Sequence, residues 1–352
     1  MKIAKLLLAP SAVLLLAVYL LLRPDQNTNP ELERQFDQHA IRNFSYWENN
    51  RSVPWSDRVF LPPVELVNYV RIDNKLGGYK DIPSAYALSG SEKKMISQIL
   101  TSLPEVVQKK LESLLLGIFV VSDLGTSGYS EEIIDSKTLQ HFGFIVLDST
   151  LFAKKANHWV TFKESAPYAL DQKTRLEGKI AENAQNTIEG AVRYILIHEL
   201  AHILSLNEKI TQVFHRRSDP NNQFANNSFF RLSWSLDNKL NVLPFGNFDF
   251  PLRNNIFYYR EAKLPSDKML EVYNGLEKTN FPTLYASTSA QDDWAESFVN
   301  YLHTQFFKLP FQILIYKDDL LIKSYENCWQ QKRCSEKKHY LENFLGLDSI
   351  PK

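Results

Sequence analysis

The chain has 352 residues, room for about two domains at roughly 150 residues each, and forty Lys plus Arg balance forty Asp plus Glu to a net charge of zero. That balance excludes a polybasic nucleic-acid platform and an acidic solvating tail. A 44% hydrophobic content with 22 Phe, 16 Tyr and 6 Trp supplies a large core and excludes a disordered polymer, while only 12 Gly excludes collagen-like and glycine-rich repeat architectures.

Lys2 and Lys5 precede an apolar run over residues 6–22, which ends at Arg23-Pro24-Asp25. As a helix the run would span about 26 Å, slightly short of a hydrocarbon core of roughly 30 Å. No small-x-small cleavage site follows it, so residues 1–23 read as an uncleaved transmembrane signal anchor in preference to a cleaved signal peptide or a buried helix. The positive flank puts the N-terminus inside and all that follows Arg23 in the periplasm or extracellular space. Residues 24–58 are polar and read as a tether. Asn43-Phe-Ser, Asn50-Arg-Ser and Asn226-Asn-Ser fit the glycosylation pattern, which matters only in a eukaryotic secretory route.

Residues 91–115 carry Met95, Ile99, Leu100, Val106, Val107, Leu111, Leu114 and Leu115 at helical spacing, completing a tether and N-terminal helical region over 24–115. Two buried strands are expected at 117–122 and 143–148, with a turn-rich loop at 123–129 between them. A third strand, 158–163, alternates as a half-exposed strand does. Beyond Asn186 the pattern is helical, with an irregular Asn- and aromatic-rich insert from about 213 to 260. The expected fold class is α+β, a small sheet followed by a helical domain over 116–352, carried on the N-terminal anchor.

The chemistry lies in one helix. Asn186 and Glu189 read as a capping box, opening a proline-free apolar stretch that contains His198-Glu199-Leu200-Ala201-His202. Histidines at i and i+4 share a helix face, so both can hold one Zn²⁺, and Glu199 stands beside them to take a proton from water. With 8 His in the chain, about 0.01 accidental matches to this motif are expected. Zinc held by two histidines needs a third ligand and an open position. Ser289 reads as an N-cap three residues before Asp292, and Asp292, Glu296, Asn300 and His303 then fall on one helical stripe that could face a cation. His303 reads more simply as an ordinary satisfied histidine.

His198 to His202 is the signature of zinc metallopeptidases, and the second segment resembles the gluzincins related to the anthrax-toxin lethal factor and the Pro-Pro endopeptidases. In that group a tyrosine is followed after seven residues by a glutamate ligand, and four residues later by an Ala-Glu pair. Tyr285, Asp292 and Ala295-Glu296 occupy those positions here. The resemblance covers about 40 residues in two pieces and implies a zincin-type domain in which Tyr285 donates a hydrogen bond to a developing oxyanion. Aspartate in place of glutamate shortens the reach by about 1.5 Å. Asp292 and Glu296 are therefore rival third ligands, with the other accepting a hydrogen bond from a ligand histidine.

Cys328 and Cys334 are the two cysteines. On one continuous helix, six positions apart, they would point to different faces about 9 Å apart along the axis, so a disulfide between them requires a break in that helix. The expected function is that of a membrane-tethered, extracytoplasmic, zinc-dependent endopeptidase acting on peptide or protein substrates, with the 158–163 strand a candidate for pairing with an extended peptide. The alternatives are a zinc hydrolase of non-peptide amides and a non-catalytic envelope binding protein that keeps zinc as a staple. No phosphate-binding loop, nucleophile elbow or nucleic-acid platform is present in the sequence.

Overall fold

The computed structural model describes residues 29–206, 229–238 and 241–347. The segment expected to be a tether is folded onto the body of the protein. Helix α1 (Pro30–Asp37) starts from an Asn29 cap with proline in its first turn, where the missing N–H costs nothing. Behind it Ile41 and Trp47 are fully buried, the indole N–H of Trp47 donates to the Ile41 carbonyl at 2.7 Å, and its ring stacks on Phe144 at 4.7 Å. Helix α2 (Val64–Gly77) follows and ends on Gly78, whose φ of 76° supplies the left-handed cap. The helix expected over 91–115 is two helices, α3 (Gly90–Thr101), opened by a Ser89–Glu92 capping box, and α4 (Glu105–Leu114). Pro104 separates them because it removes a helical N–H and pushes Leu103 out of the helical region.

Strands β1 (Ser84–Ala85), β2 (Leu115–Ser122), β3 (Gly128–Ile134) and β4 (His141–Asp148) form a sheet of order β1-β2-β4-β3. β2 and β4 run parallel, and the outer pairings are antiparallel. The two central strands are covered on both faces, which is why they read as unbroken apolar runs. One face packs Phe119, Phe144 and Val146 against Trp47, Tyr69 and Val70. The other face packs Ile118, Val120, Ile145 and Leu147 against the helical half of the molecule. The expected loop holds over 123–127; β3, which was not expected from the sequence, begins at its end and among the described residues pairs with β4.

Residues expected to form a third strand are instead helix α5 (Ala156–Ser165). Its buried positions are Ala156, Trp159, Val160, Lys163 and Glu164, a helical period disguised in the sequence because two of the inward residues are charged. Strand β5 (Thr174–Lys179) leads to helix α6 (Ile188–Ser205), capped by Thr187 rather than Asn186, with Gly190 N–H donating to Thr187 Oγ1 at 3.2 Å. Helix α6 lies close against the sheet at Gly143, where an added Cβ would fall 2.3 Å from Ile203 Cδ1 and 2.9 Å from the Glu131 carbonyl oxygen. Helices α7 (Met269–Leu276) and α8 (Ala290–Tyr301) come next. Strands β6 (Gln312–Lys317) and β7 (Leu320–Glu326) complete an antiparallel sheet of order β7-β6-β5. Cys328 and Cys334 are disulfide-bonded, with Cα atoms 5.7 Å apart. Cys334 closes a short turn just ahead of helix α9 (Ser335–Phe344), so no continuous helix joins the two cysteines.

The expected fold class needs correction in two respects. The fold is α+β, but helices precede the first sheet, and a second sheet joins β5, ahead of the central helices, to β6 and β7 after them. The transmembrane anchor is not supported: among the described residues no helix is long and apolar enough to cross a membrane. α6, with 18 residues, carries His198 and Glu199 and is buried in the protein core rather than offered to lipid. Residues 6–22, where the anchor was expected, lie outside the described residues, as does the Asn226 glycosylation pattern.

Candidate metal centre

Two helices build the site. α6 places His198 and His202 one turn apart, with their Nε2 atoms 3.3 Å from each other. α8 packs against α6 and is pinned to it by Trp294, whose indole N–H donates to the Ala201 carbonyl at 2.7 Å. The start of α8 is fixed by Ser289, which accepts from the Asp292 N–H at 3.0 Å and donates to Asp292 Oδ2 at 2.6 Å. That capping bond leaves Oδ1 of Asp292 facing the histidines, 3.8 Å from His198 Nε2 and 3.9 Å from His202 Nε2.

His198, His202 and Asp292 thus offer three ligand atoms within metal-binding distance of one another, the one such group among the described residues. A four-coordinate ion with bonds of about 2.0–2.1 Å holds its ligand atoms roughly 3.3–3.4 Å apart. The observed triangle lies within about half an ångström of that requirement, and two imidazoles with one carboxylate leave a fourth position open. The residues therefore fit a metal ion.

The rival carboxylate faces the other way. Glu296 Oε1 lies 3.0 Å from Nδ1 of His198, on the side of the ring remote from Asp292. Among the described residues that nitrogen has no well-formed hydrogen-bond partner, and Glu296 is the carboxylate it faces. Glu296 is held by the Lys163 ammonium, which donates to Oε1 at 2.7 Å, and by Thr283, whose hydroxyl donates to Oε2 at 2.8 Å. Burial would raise its pKa, but Lys163 and then His198 hold it down to about 2. Glu296 is thus a permanent anion behind the His198 ring.

Glu199, on the same helix, is 4% exposed, and burial, opposed by His198 and reinforced by Asp292, pushes its pKa up to about 7. A carboxyl group poised there can both accept and return a proton near neutrality. Its Oε1 lies against the backbone of Gly128 at the start of β3, where a Cβ would come within 3.0 Å. Burial, then the neighbouring His198, holds His202 down to about 3, leaving its imidazole neutral as a ligand must be. Tyr285, in the turn leading into α8, stacks on His198 with ring centroids 5.6 Å apart and 18° between planes. Its phenol is pushed well above the ordinary value by burial and by Asp292, so it remains a hydrogen-bond donor at all working pH values.

The rest of the α8 stripe does other work. Asn300 accepts from the Trp329 indole N–H at 2.8 Å. His303 is buried with Nε2 against the carbonyls of Ile180 at 2.8 Å and Pro310 at 3.0 Å, an ordinary satisfied histidine remote from the ligand atoms. Residues not singled out in the sequence surround the site: Gly128 against Glu199, Tyr259 beside it, and Lys163 and Thr283 behind the centre on Glu296. Tyr259 adopts a φ of 56° and donates to Ser127 Oγ at 3.2 Å beside Gly128, the sort of backbone strain that gathers at functional sites. For Lys163 the helical period of α5 was the available signal. For Tyr259 the sequence holds none, because its position depends on the long connection between α6 and α8. No family model matches the chain, and neither a curated protein nor a solved structure matches it significantly.

Proposed function

We propose that the chain is a zinc-dependent endopeptidase with its centre at His198, His202 and Asp292. The observation that carries this reading is the triangle of two Nε2 atoms and one Oδ1, 3.3–3.9 Å on a side, with the buried carboxyl group of Glu199 on the next residue of the same helix. A purely structural staple would close the fourth position with protein and has no use for Glu199.

Zinc, when bound, supplies Lewis acidity that makes water a nucleophile near neutral pH and polarises a carbonyl. Glu199 takes the proton released from the attacking water and returns it to the leaving amine. The Tyr285 hydroxyl donates to the carbonyl oxygen as charge gathers there, a contact of a kind worth about 3 kcal/mol. The 158–163 segment, expected to pair with an extended peptide, is part of helix α5 and has no strand edge to give one. The Cys328–Cys334 disulfide supports an oxidising compartment outside the cytoplasm.

The test is zinc content and peptide-library cleavage of the wild type and Glu199→Gln. Stoichiometric zinc in both, with cleavage reduced at least about 100-fold in the variant, is expected. Zinc binding with no cleavage by either protein would favour the non-catalytic binding protein, and cleavage of only non-peptide amides would favour the amide hydrolase.

A further inference from the structure

Lys163 is 1% exposed and sits behind the metal centre, not in it. Its ammonium lies 2.7 Å from Glu296 and 3.4 Å from Glu164, inside a cage formed by the rings of Trp159, Tyr194, Tyr258 and Tyr285, the last with its centroid 4.8 Å away. Glu164 is in turn held by the hydroxyls of Tyr273 at 3.0 Å and Tyr258 at 3.3 Å. A buried ion pair is a poor way to gain stability, because apolar side chains of the same volume do as well or better. This one touches two parts of the site at once: Glu296, which contacts His198, and the face of Tyr285, which stacks on His198.

We propose that Lys163 is a positioning residue: it pins Glu296 so that the carboxylate selects the His198 tautomer with its proton on Nδ1, leaving Nε2 free to ligate, and it fixes the ring of Tyr285. The proposal rests on the metal-centre reading. A carboxylate 3.0 Å from Nδ1 favours N–H there, and a histidine whose remote nitrogen faces a fixed carboxylate is both oriented and more basic as a ligand. Without the ammonium, Glu296 Oε1 would lose the donor that holds it at 2.7 Å and would share a buried site with Glu164 with no cation between them.

The experiment uses the full chain. Imidazole ¹⁵N shifts of His198 in metal-free protein report its tautomer, and cobalt(II) and zinc titrations report affinity and coordination geometry. In the wild type the Nδ1–H tautomer is expected. Lys163→Met is expected to lose that single tautomer, to weaken zinc and cobalt binding about 10- to 100-fold and to alter the cobalt d–d spectrum. Glu296→Gln should do the same, and the double variant should lose little more, because both act through one contact. Lys337→Met, which removes a buried lysine elsewhere on α8's surroundings, should leave tautomer and spectrum unchanged. An Nε2–H tautomer in the wild type, fully additive losses, or wild-type zinc affinity in Lys163→Met would overturn the proposal. If Lys163→Met does not fold, the wild-type tautomer still decides it. A wild type that binds no zinc would remove the proposed function instead, while the tautomer measurement stands apart from it.

Discussion

Helix α8 carries two buried lysine–carboxylate pairs, three residues apart, with opposite uses. Asp293 pairs with Lys337 of α9 and accepts from the Trp234 indole N–H at 3.0 Å. Every group it touches is structural, and the pair fastens the C-terminal helix and its disulfide to the core. Glu296 pairs with Lys163 and contacts a candidate ligand. The charge balance differs accordingly. Lys163 faces two carboxylates, which outweigh burial and raise its pKa above the ordinary value, whereas burial lowers Lys337 to about 8 in spite of Asp293. The same physics that can merely hold a helix in place is, with a second carboxylate added, able to keep a fixed anion next to an imidazole.

Adjacent aspartates give the largest contrast. Asp292→Ala should lose stoichiometric zinc by elemental analysis yet keep its fold, since Asp292 is partly exposed and bonded only at a helix cap. Asp293→Ala should keep the ligands but unfold at lower denaturant, by about 3–5 kcal/mol, because it strands a buried ammonium. Full zinc in Asp292→Ala with none in Glu296→Ala would reverse the assignment of the third ligand. Next come the lysines themselves: Lys163→Met and Lys337→Met should each cost about 3–5 kcal/mol in urea unfolding, so the two differ in metal affinity and not in stability. Opening the disulfide in Cys328→Ser, Cys334→Ser should cost about 2 kcal/mol from loop closure, with zinc binding intact, since the bond supports the structural pair alone.

The smallest effect belongs to a partly buried pair between β3 and β4, His141 Nδ1 and Glu132 Oε1 at 2.6 Å. The hydrogen bond that His141 donates to the Glu132 carboxylate raises the His141 pKa above its usual 6.5. Protonated histidine is thereby favoured in the folded state. The pair's contribution is complete below pH 6.5 and is lost as pH rises through the raised value, a change under about 1 kcal/mol. His141→Asn should abolish that slope, measured as the pH dependence of the unfolding midpoint. A wild-type slope that persists in the variant would assign it elsewhere.

Local patterns made some of this legible in sequence. The His-Glu-Leu-Ala-His spacing, the Ser289 cap and the two apolar central strands each depend on neighbours within a few residues. The α5 helix was hidden because its inward face carries Lys163 and Glu164, so the apolar signal alternates as a strand's would. The break at Pro104 is local and was masked by strong periodicity on both sides. Residues 30–57 are polar overall, yet Ile41 and Trp47 anchor them by burial that no local pattern announces. Which of Asp292 and Glu296 faces the histidines depends on helix rotation, set by Trp294 on Ala201 and by Lys163, both contacts across long stretches of chain.

His202 and Asp292 are 90 positions apart in the chain, although their ligand atoms are 3.9 Å apart. Contacts of that separation bear a large loop-closure entropy and form after local ones. A nascent α6 can present both histidines alone, as a weak two-ligand site, but Asp292, the proposed third ligand, arrives only when α8 docks. During refolding, the rise from weak to tight metal binding should therefore time that docking, making the ion a clock for the last step of assembly as well as the proposed reagent.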